Sequence, residues 1–351
     1  MLLALGLIGR DLIGSYKTGY LDLLSLRSCF FMSDIHGEAE AFDRQIAERI
    51  ANGHIPDLRR VQDCDYFYAN PWRRKAYVDL DFGQLFSRFD KALREHARSE
   101  PGQPLRILEV GSGPGYLALE LARAGHDVTG IDVSTGAVAV ARKYAEEDPW
   151  KAERGPLRYL VDDFQTTAEL VAGSFDAVLF MGALHHFPDQ GGVGQRVEEL
   201  LKPGGVVLVH EPTRDRISEP MIELHYLIRL LLSLGGGYHE TLPIPETPEQ
   251  RAELFHEIKK EVEFVDESGD KTQSPNDNEA GYKEMRVMLS RFQVVHEEDT
   301  YAFFHEVIGG LRFDEATNAK LALYLRDADA RLVKGGVLPA YEFFFIGRKG
   351  G

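Results

Sequence analysis

Cysteine is nearly absent: Cys29 and Cys64 are the only two in 351 residues. They lack the CxxC spacing of a zinc or redox motif and are too few for a disulfide framework, so a reducing cytoplasm is the simplest compartment. Long hydrophobic runs are absent as well. The apolar opening from Met1 to Ile8 is cut short by Arg10 and Asp11. It is too short for a membrane span and has no basic lead of the kind a signal peptide carries. Residues 1–34 therefore read as a poorly ordered leader. Met32 is the expected natural start, because MSDIHGEAEAFDRQIAERI opens like an ordinary cytosolic N-terminus. Positive charge is scarce too: 40 Lys and Arg stand against 56 Asp and Glu, a net charge of −16. Such a chain repels phosphate backbones, which argues against a nucleic-acid partner.

What is present suits a globular enzyme. Hydrophobic residues make up 44% of the chain, enough for a core in one large α/β domain with added elements. Residues 37–52 and 84–97 have helical spacing, the second with Leu85, Phe86, Phe89 and Leu93 on one face. EPGQP at 100–104 marks a boundary after an N-terminal helical region at 35–100. From there short apolar runs at 105–110, 126–132, 157–163, 175–181 and 206–211 alternate with helical stretches. Runs apolar throughout and separated by helices predict parallel strands buried on both faces, in a Rossmann-like doubly wound α/β sheet.

After Glu211 the alternation stops, so the binding core is placed at 101–215. A helical insertion or lid follows at 216–278. It holds an apolar helix at 218–234, with Ser218 as N-cap and Pro220 in its first turn. That helix is apolar nearly all round and is expected to be buried as a substrate lid assisted by the aromatic stretch 66–77, as plain core, or as a homodimer contact. The charged stretch 246–280 contains ESGDKTQSPNDN, read as a mobile loop. Residues 279–351 complete the sheet with strands at 292–297 and 341–348 and helices at 279–290 and 314–333.

The central motif is EVGSGPG, with Glu109, Gly111, Ser112, Gly113, Pro114 and Gly115 between a strand and a helix. Glycines there allow a tight turn and let a ligand lie against the backbone. A dinucleotide site would need a third glycine where Tyr116 stands, and its pyrophosphate would be repelled by Glu109. An acid at that point suits a cationic ligand. Asp132 ends the second strand, where a carboxylate accepts hydrogen bonds from ribose hydroxyls. Asp163 and Phe164 close the third strand and are placed to read an adenine by an acceptor and an apolar contact. The bland alternative is a packing turn with three solvated carboxylates.

The ordered set ILEVGSGPG, GIDVS, VDDF, FDAVLFMGALHHFPD and LLKPGGVVLVHEP resembles the class I S-adenosylmethionine-dependent methyltransferases, within their small-molecule branch that includes quinone-biosynthesis enzymes. The resemblance covers about residues 104–215. It implies a seven-stranded sheet, mostly parallel with an antiparallel last strand, and S-adenosyl-L-methionine as cofactor. It implies cofactor contacts from Glu109, Gly111, Ser112, Gly113, Asp132, Val133, Asp163 and Phe164, with Met181 and Gly182 passing alongside the methionine part. Ser112 and Pro114 depart from the commoner cysteine and threonine. Residues 35–100 and 216–278 match no pattern of the family and are expected to hold acceptor specificity.

Methyl transfer is an in-line displacement that leans on orientation and exclusion of water, and needs a base only when the acceptor arrives protonated. No metal is implied. His185 and His186 follow the fourth strand, and either can take a proton or merely shape the pocket. Glu211 ends the fifth strand and is expected to face the same crevice as base or orienter, or to pair with Arg214. Asn70-Pro71-Trp72 resembles the NPPY-type motif of amino-methylating nucleic-acid enzymes only faintly. The expected activity is methyl transfer to an O, N or C atom of a small, lipophilic metabolite. The competing readings are an NAD(P)-dependent oxidoreductase and a non-catalytic binding subunit of the same fold.

Overall fold

The computed structural model describes the backbone of residues 22–64, 74–97 and 103–350, and side chains from residue 35 onward. The aromatic stretch up to residue 73, the Asn70-Pro71-Trp72 motif, most of the 100–104 boundary, the apolar opening and the side chains of Cys29 and Met32 lie outside what is described. Helix α1 (Asp22–Ala51) begins within the segment read as a leader and is longer than the 37–52 expected. Helices α2 (Lys75–Leu80) and α3 (Phe82–His96) follow, and α3 buries Leu85, Phe89 and Leu93 as its spacing requires.

The core alternates as the apolar runs predict. Strands β1 (Arg106–Val110), β2 (Asp127–Asp132), β3 (Leu157–Val161), β4 (Phe175–Met181) and β5 (Leu201–Pro212) are separated by helices α4 (Tyr116–Arg123), α5 (Thr135–Glu146) and α6 (Gln190–Leu200), except that β3 and β4 are joined by turns at 162–174 without a helix. Short polar side chains start two of these helices: Ser134 accepts from the Ala137 N–H and Asp189 from that of Gly192. The seven-stranded sheet has the order β3-β2-β1-β4-β5-β7-β6. Strands β1 to β5 pair in parallel. Strand β7 (Glu342–Arg348) runs antiparallel between β5 and β6 (Gln293–Thr300). The order reverses at β1 and β4, so a crevice opens at their carboxyl ends.

Alternation along the strands divides the core. Leu108, Val110, Val178, Phe180, Val207 and Phe343 pack on one face. Ile107, Ala177, Leu179, Val206, Leu208 and Phe344 pack on the other with Phe89 and Leu93 of α3. Each large apolar side chain buried this way is worth about 1.5–3 kcal/mol. Edge strand β6 carries His296, Glu297, Glu298 and Asp299 and is largely exposed, a charged rim that resists edge-to-edge pairing.

The segment after β5 departs from expectation. Helix α7 (Glu219–Leu234) has Pro220 in its first turn, but Ser218 makes no side-chain cap. It buries Met221, Ile222, His225 and Arg229 while Leu227, Leu231 and Leu234 are exposed. Apolar composition misjudged its orientation because buried Arg229 is held by Glu240 at 2.5 Å and Glu261 at 2.9 Å. Glu261 lies on α8 (Pro248–Glu263), a helix in the charged stretch ahead of the segment read as a loop. Thr247 and Gln250 form a capping box at its start, and Pro248 supplies a preset first turn. The following ESGDKTQSPNDN segment is docked, with Ser274 and Asp277 buried.

Helices α9 (Tyr282–Leu289), α10 (Phe304–Ile308) and α11 (Glu315–Lys334) complete the chain. A third apolar cluster joins Tyr77 of α2, Met221 of α7, Phe304 and Ile308 of α10, and Tyr341 ahead of β7. Among the described residues no helix is long and apolar enough to cross a membrane.

Candidate active site

Three glycines shape the β1–α4 turn. Gly111, Gly113 and Gly115 all have positive φ, at 68°, 49° and 86°, where a Cβ is costly. At Gly111 an added Cβ would meet the Cβ of Ala183 at 2.5 Å, whereas at Gly113 it would meet open space. The first glycine is demanded by packing, and the second leaves the backbone bare toward a cavity of about 520 Å³. Glu109, Gly111, Ser112, Gly113, Asp132, Val133, Asp163, Phe164, Met181 and Gly182 all line that cavity. Gly115 does not; it lies beneath the turn against Tyr159.

Asp132 braces the turn from the next strand. Its carboxylate accepts the Gly113 N–H at 2.8 Å and the Ser134 N–H at 2.8 Å. Each oxygen keeps a second lone-pair direction for a ligand hydroxyl. Burial pushes the Asp132 carboxyl up, and the nearby Asp43 and Glu38 push the same way. Glu109 is more extreme. Burial, helped by the Asp132 charge, raises its carboxyl to about 8. Its Oε2 and the Oγ of Ser112 are buried with no hydrogen-bond partner among the described residues. A buried acceptor without a donor is costly, so this end of the cavity is built for something that donates hydrogen bonds and carries positive charge.

Asp163 is used locally. It accepts the Gln165 N–H at 2.9 Å and the Thr166 hydroxyl at 2.8 Å, shaping the turn after β3. Phe164 is buried with its ring edge-on to Phe180 and Phe187.

Helix α1 is the roof of the cavity, and α7 is not among its walls. Asp43 accepts from the Ser134 hydroxyl at 2.6 Å and the Gly136 N–H at 2.7 Å, docking α1 on the start of α5. Glu38 accepts from the Ser274 hydroxyl at 2.6 Å and the Asn276 N–H at 2.8 Å, and stands 2.7 Å from Nδ1 of His186.

The three residues singled out for catalysis separate. Glu211 does not face the crevice and does not pair with Arg214. Its buried carboxylate accepts the N–H groups of Ala183 and Leu184, each at 2.8 Å, and holds Nδ1 of His185 at 2.6 Å. Arg214 instead donates to the Val262 carbonyl and to Asn278. Burial works against charge on His185, but Asp277 and Glu211 outweigh it and raise its pKa above the ordinary histidine range. With Nε2 of His185 3.3 Å from Asp277, both ring nitrogens face carboxylates, leaving neither open as a base. His186 lines the cavity, and burial together with the adjacent His185 lowers its pKa. His185, His186 and Asp277 offer three ligand atoms within 4.8 Å of one another, among the described residues. The carboxylates already around His185 account for the cluster as an ion-pair network.

A second polar group at the other end of the cavity went unread in the sequence. His210 of β5, Glu342 of β7, His305 of α10 and Asp81 between α2 and α3 all line it. The available signal was strand alternation: Val206, Leu208 and His210 share one face of β5, and Glu211 takes the opposite one.

A family described as a methyltransferase domain matches residues 108–209. A ubiquinone biosynthesis O-methyltransferase from Acinetobacter baylyi is 31% identical over 167 residues, 47% of this chain and 65% of that protein. A protein of the same description from Actinobacillus pleuropneumoniae is 40% identical over 138 residues, 38% of this chain and 57% of that protein. The chain thus spans less than two thirds of the length of these relatives. A solved structure of an S-adenosylmethionine-dependent methyltransferase from Methanosarcina mazei aligns with a TM-score of 0.44 and 19% identity, over 74% of this chain and 97% of that one.

Proposed function

We propose, from the match of residues 108–209 to the methyltransferase domain family, that this chain transfers a methyl group from S-adenosylmethionine to a small molecule. The carrying observation is the acidic end of the cavity: Oε2 of Glu109 and Oγ of Ser112 are buried without a hydrogen-bond partner among the described residues, beside the backbone of Gly113, where no side chain stands. A cationic amino acid moiety fits this end, because it can drive the proton off Glu109 and pair with the carboxylate, whereas a pyrophosphate could gain no such pairing and would meet the charge of Asp132. That disfavours the NAD(P) oxidoreductase reading. When bound, S-adenosylmethionine supplies a methyl group made electrophilic by a positively charged sulfur.

The chain's residues bind and orient. Asp132 takes the ribose hydroxyls, Glu109 and the glycine backbone face the amino acid part, and Asp163 and Phe164 border the adenine. Met181 and Gly182 flank the path to the acceptor. Helix α1, fastened by Glu38 and Asp43, excludes water, which strengthens these charged contacts. The cavity volume falls in the range of roughly 300–1,000 Å³ usual for small-molecule sites. A cytoplasmic location belongs to the same reading and rests on the cysteine-poor sequence.

Calorimetry with S-adenosylhomocysteine and with NAD tests the cofactor. Uptake of the first alone is expected, and uptake of NAD alone would overturn the reading. Incubation with labelled S-adenosylmethionine and a metabolite extract then identifies the acceptor. Binding without any transfer would favour the non-catalytic subunit.

A further inference from the structure

Helix α1 meets the cavity along one stripe. Ile35, Glu38, Phe42, Gln45, Ile46 and Arg49 line it at helical spacing, and the opposite side is exposed at His36, Glu40 and Arg44. Little apolar packing holds the helix there. Ala41 and Ile46 are the only buried apolar residues among those of α1 whose side chains are described. The other attachments are polar. Oδ1 of Asp43 accepts both the Ser134 hydroxyl and the Gly136 N–H at the start of α5. Glu38 is held by Ser274, Asn276 and His186. The Gln45 amide donates to the Gln273 carbonyl at 2.7 Å. An element with few buried apolar contacts opens at low cost.

The acids that fasten the roof face the acids of the floor. Ser134 joins the two sets: its hydroxyl donates to Asp43 and its N–H to Asp132. Burial pushes the Asp132 carboxyl up, and Asp43 and Glu38 add to that shift, which is repulsion between roof and floor. Glu109 stands on the same floor, and Asp162 and Asp163 line the cavity with the same sign. Among the described residues no lysine or arginine pairs with Glu38, Asp43, Asp132 or Glu109; Glu38 has His186. Burial and the neighbouring His185 lower the pKa of His186, so it brings little charge. His185 is matched by Glu211 and Asp277. Uncompensated buried charge is costly, and a cation between roof and floor attracts the acids of both.

Resting on the methyltransferase reading, we propose that α1 over residues 35–51 is a lid whose closure depends on the positive charge of the donor. Methyl transfer breaks the carbon–sulfur bond, leaves its electron pair on sulfur and carries the methyl to the acceptor. The donor's sulfur thereby turns from a cation into a neutral thioether, and the acids of lid and floor face each other with one positive charge fewer between them. The lid closes over S-adenosylmethionine and loosens over S-adenosylhomocysteine, so product release waits on completed transfer. A ligand shifts such an equilibrium only by its different interaction with the two states, and here that difference is the charge.

The test uses the full chain at pH 7.5, saturated in turn with S-adenosylhomocysteine and with sinefungin, an unreactive analogue bearing a cationic amine where the donor bears its methylated sulfur. Calorimetry establishes saturation. Amide hydrogen exchange read by mass spectrometry follows peptides from 35–51, with β4 as reference. Exchange over 35–51 is expected to be at least about fivefold slower with sinefungin than with S-adenosylhomocysteine, while β4 exchanges equally under both. Asp43→Asn removes a charge from the lid and keeps both hydrogen bonds, because they run to a single oxygen. It is expected to shrink the difference between the ligands. Equal exchange over 35–51 under both ligands in the parent chain, or an undiminished difference in Asp43→Asn, overturns the proposal. If Asp43→Asn does not fold, the parent comparison alone decides. Failure of the parent chain to bind either ligand would overturn the methyltransferase reading, and the lid with it.

Discussion

Nδ1 of His185 lies 2.6 Å from Oε2 of Glu211, and both side chains are buried. The same carboxylate accepts the N–H groups of Ala183 and Leu184, so one acid fixes the whole turn after β4. Its work is architectural, which is why a residue chosen as a base ends up behind the site.

Removing this acid should therefore cost stability. Burial opposes charge on Glu211, but His185 outweighs it and holds the carboxyl below its ordinary 4.5, while His185 is held above its ordinary 6.5. The carboxylate contribution is present above pH 4.5 and lost as the pH falls through its lowered value. The imidazolium contribution is present below pH 6.5 and lost as the pH rises through its raised value. Between these limits both are in force. Glu211→Gln should lose about 3–5 kcal/mol there, and the deficit should shrink outside the window. Urea unfolding at several pH values measures this, and a deficit independent of pH would contradict it.

Asp132→Ala should weaken S-adenosylhomocysteine binding by about 1.5–3 kcal/mol, the usual worth of hydrogen bonds to a charged group. Isothermal calorimetry reads this directly. An unchanged affinity would remove the ribose from Asp132.

The Glu109 carboxyl, raised to about 8, predicts proton release. The buried carboxyl holds its proton at neutral pH, and a cationic amino group beside it drives the proton off. Calorimetry at pH 7 in buffers of differing ionisation enthalpy should detect it, and Glu109→Gln should abolish it while weakening binding. In the ligand-free chain the raised value acts oppositely on stability. Between 4.5 and about 8 the unfolded carboxyl ionises and the buried one does not, so stability falls as the pH rises. Glu109→Gln should flatten that slope.

Gly111→Ala should be severe. Its Cβ would sit 2.5 Å from that of Ala183, on a backbone with φ of 68°. Overpacking of about 1–3 kcal/mol adds to left-handed strain of about 1–2 kcal/mol. Thermal melting should show the loss; a melting curve equal to that of the parent would refute the packing role.

Much of the cavity wall around the glycine turn was legible because its determinants are local. The apolar run 175–181 coincides with β4, and Gly111, Gly113, Asp132 and Asp163 lie at or past strand ends and line the cavity. Helix α8 was missed because its spacing is polar nearly throughout and only Ile258, Lys260 and Val262 are buried. The Thr247-Pro248 start with Gln250 was the readable sign. Glu38 and Asp277 were invisible for another reason. They meet His186 and His185 across long stretches of chain, and no local pattern encodes such a meeting. His210 was lost to its neighbour because two adjacent polar residues on a strand point to opposite faces.

The reversed direction of β7 has an evolutionary reach. A parallel strand delivers its last residue to the crevice, but β7 delivers its first, Glu342, to the same rim, paired with Pro212. Glu109, Asp132 and Asp163 thus reach the cavity from the middle of the sequence, and the acid beside His210 reaches it from near the far end. A change confined to the final stretch therefore alters one end of the cavity and leaves the turn around Glu109 and Asp132 untouched.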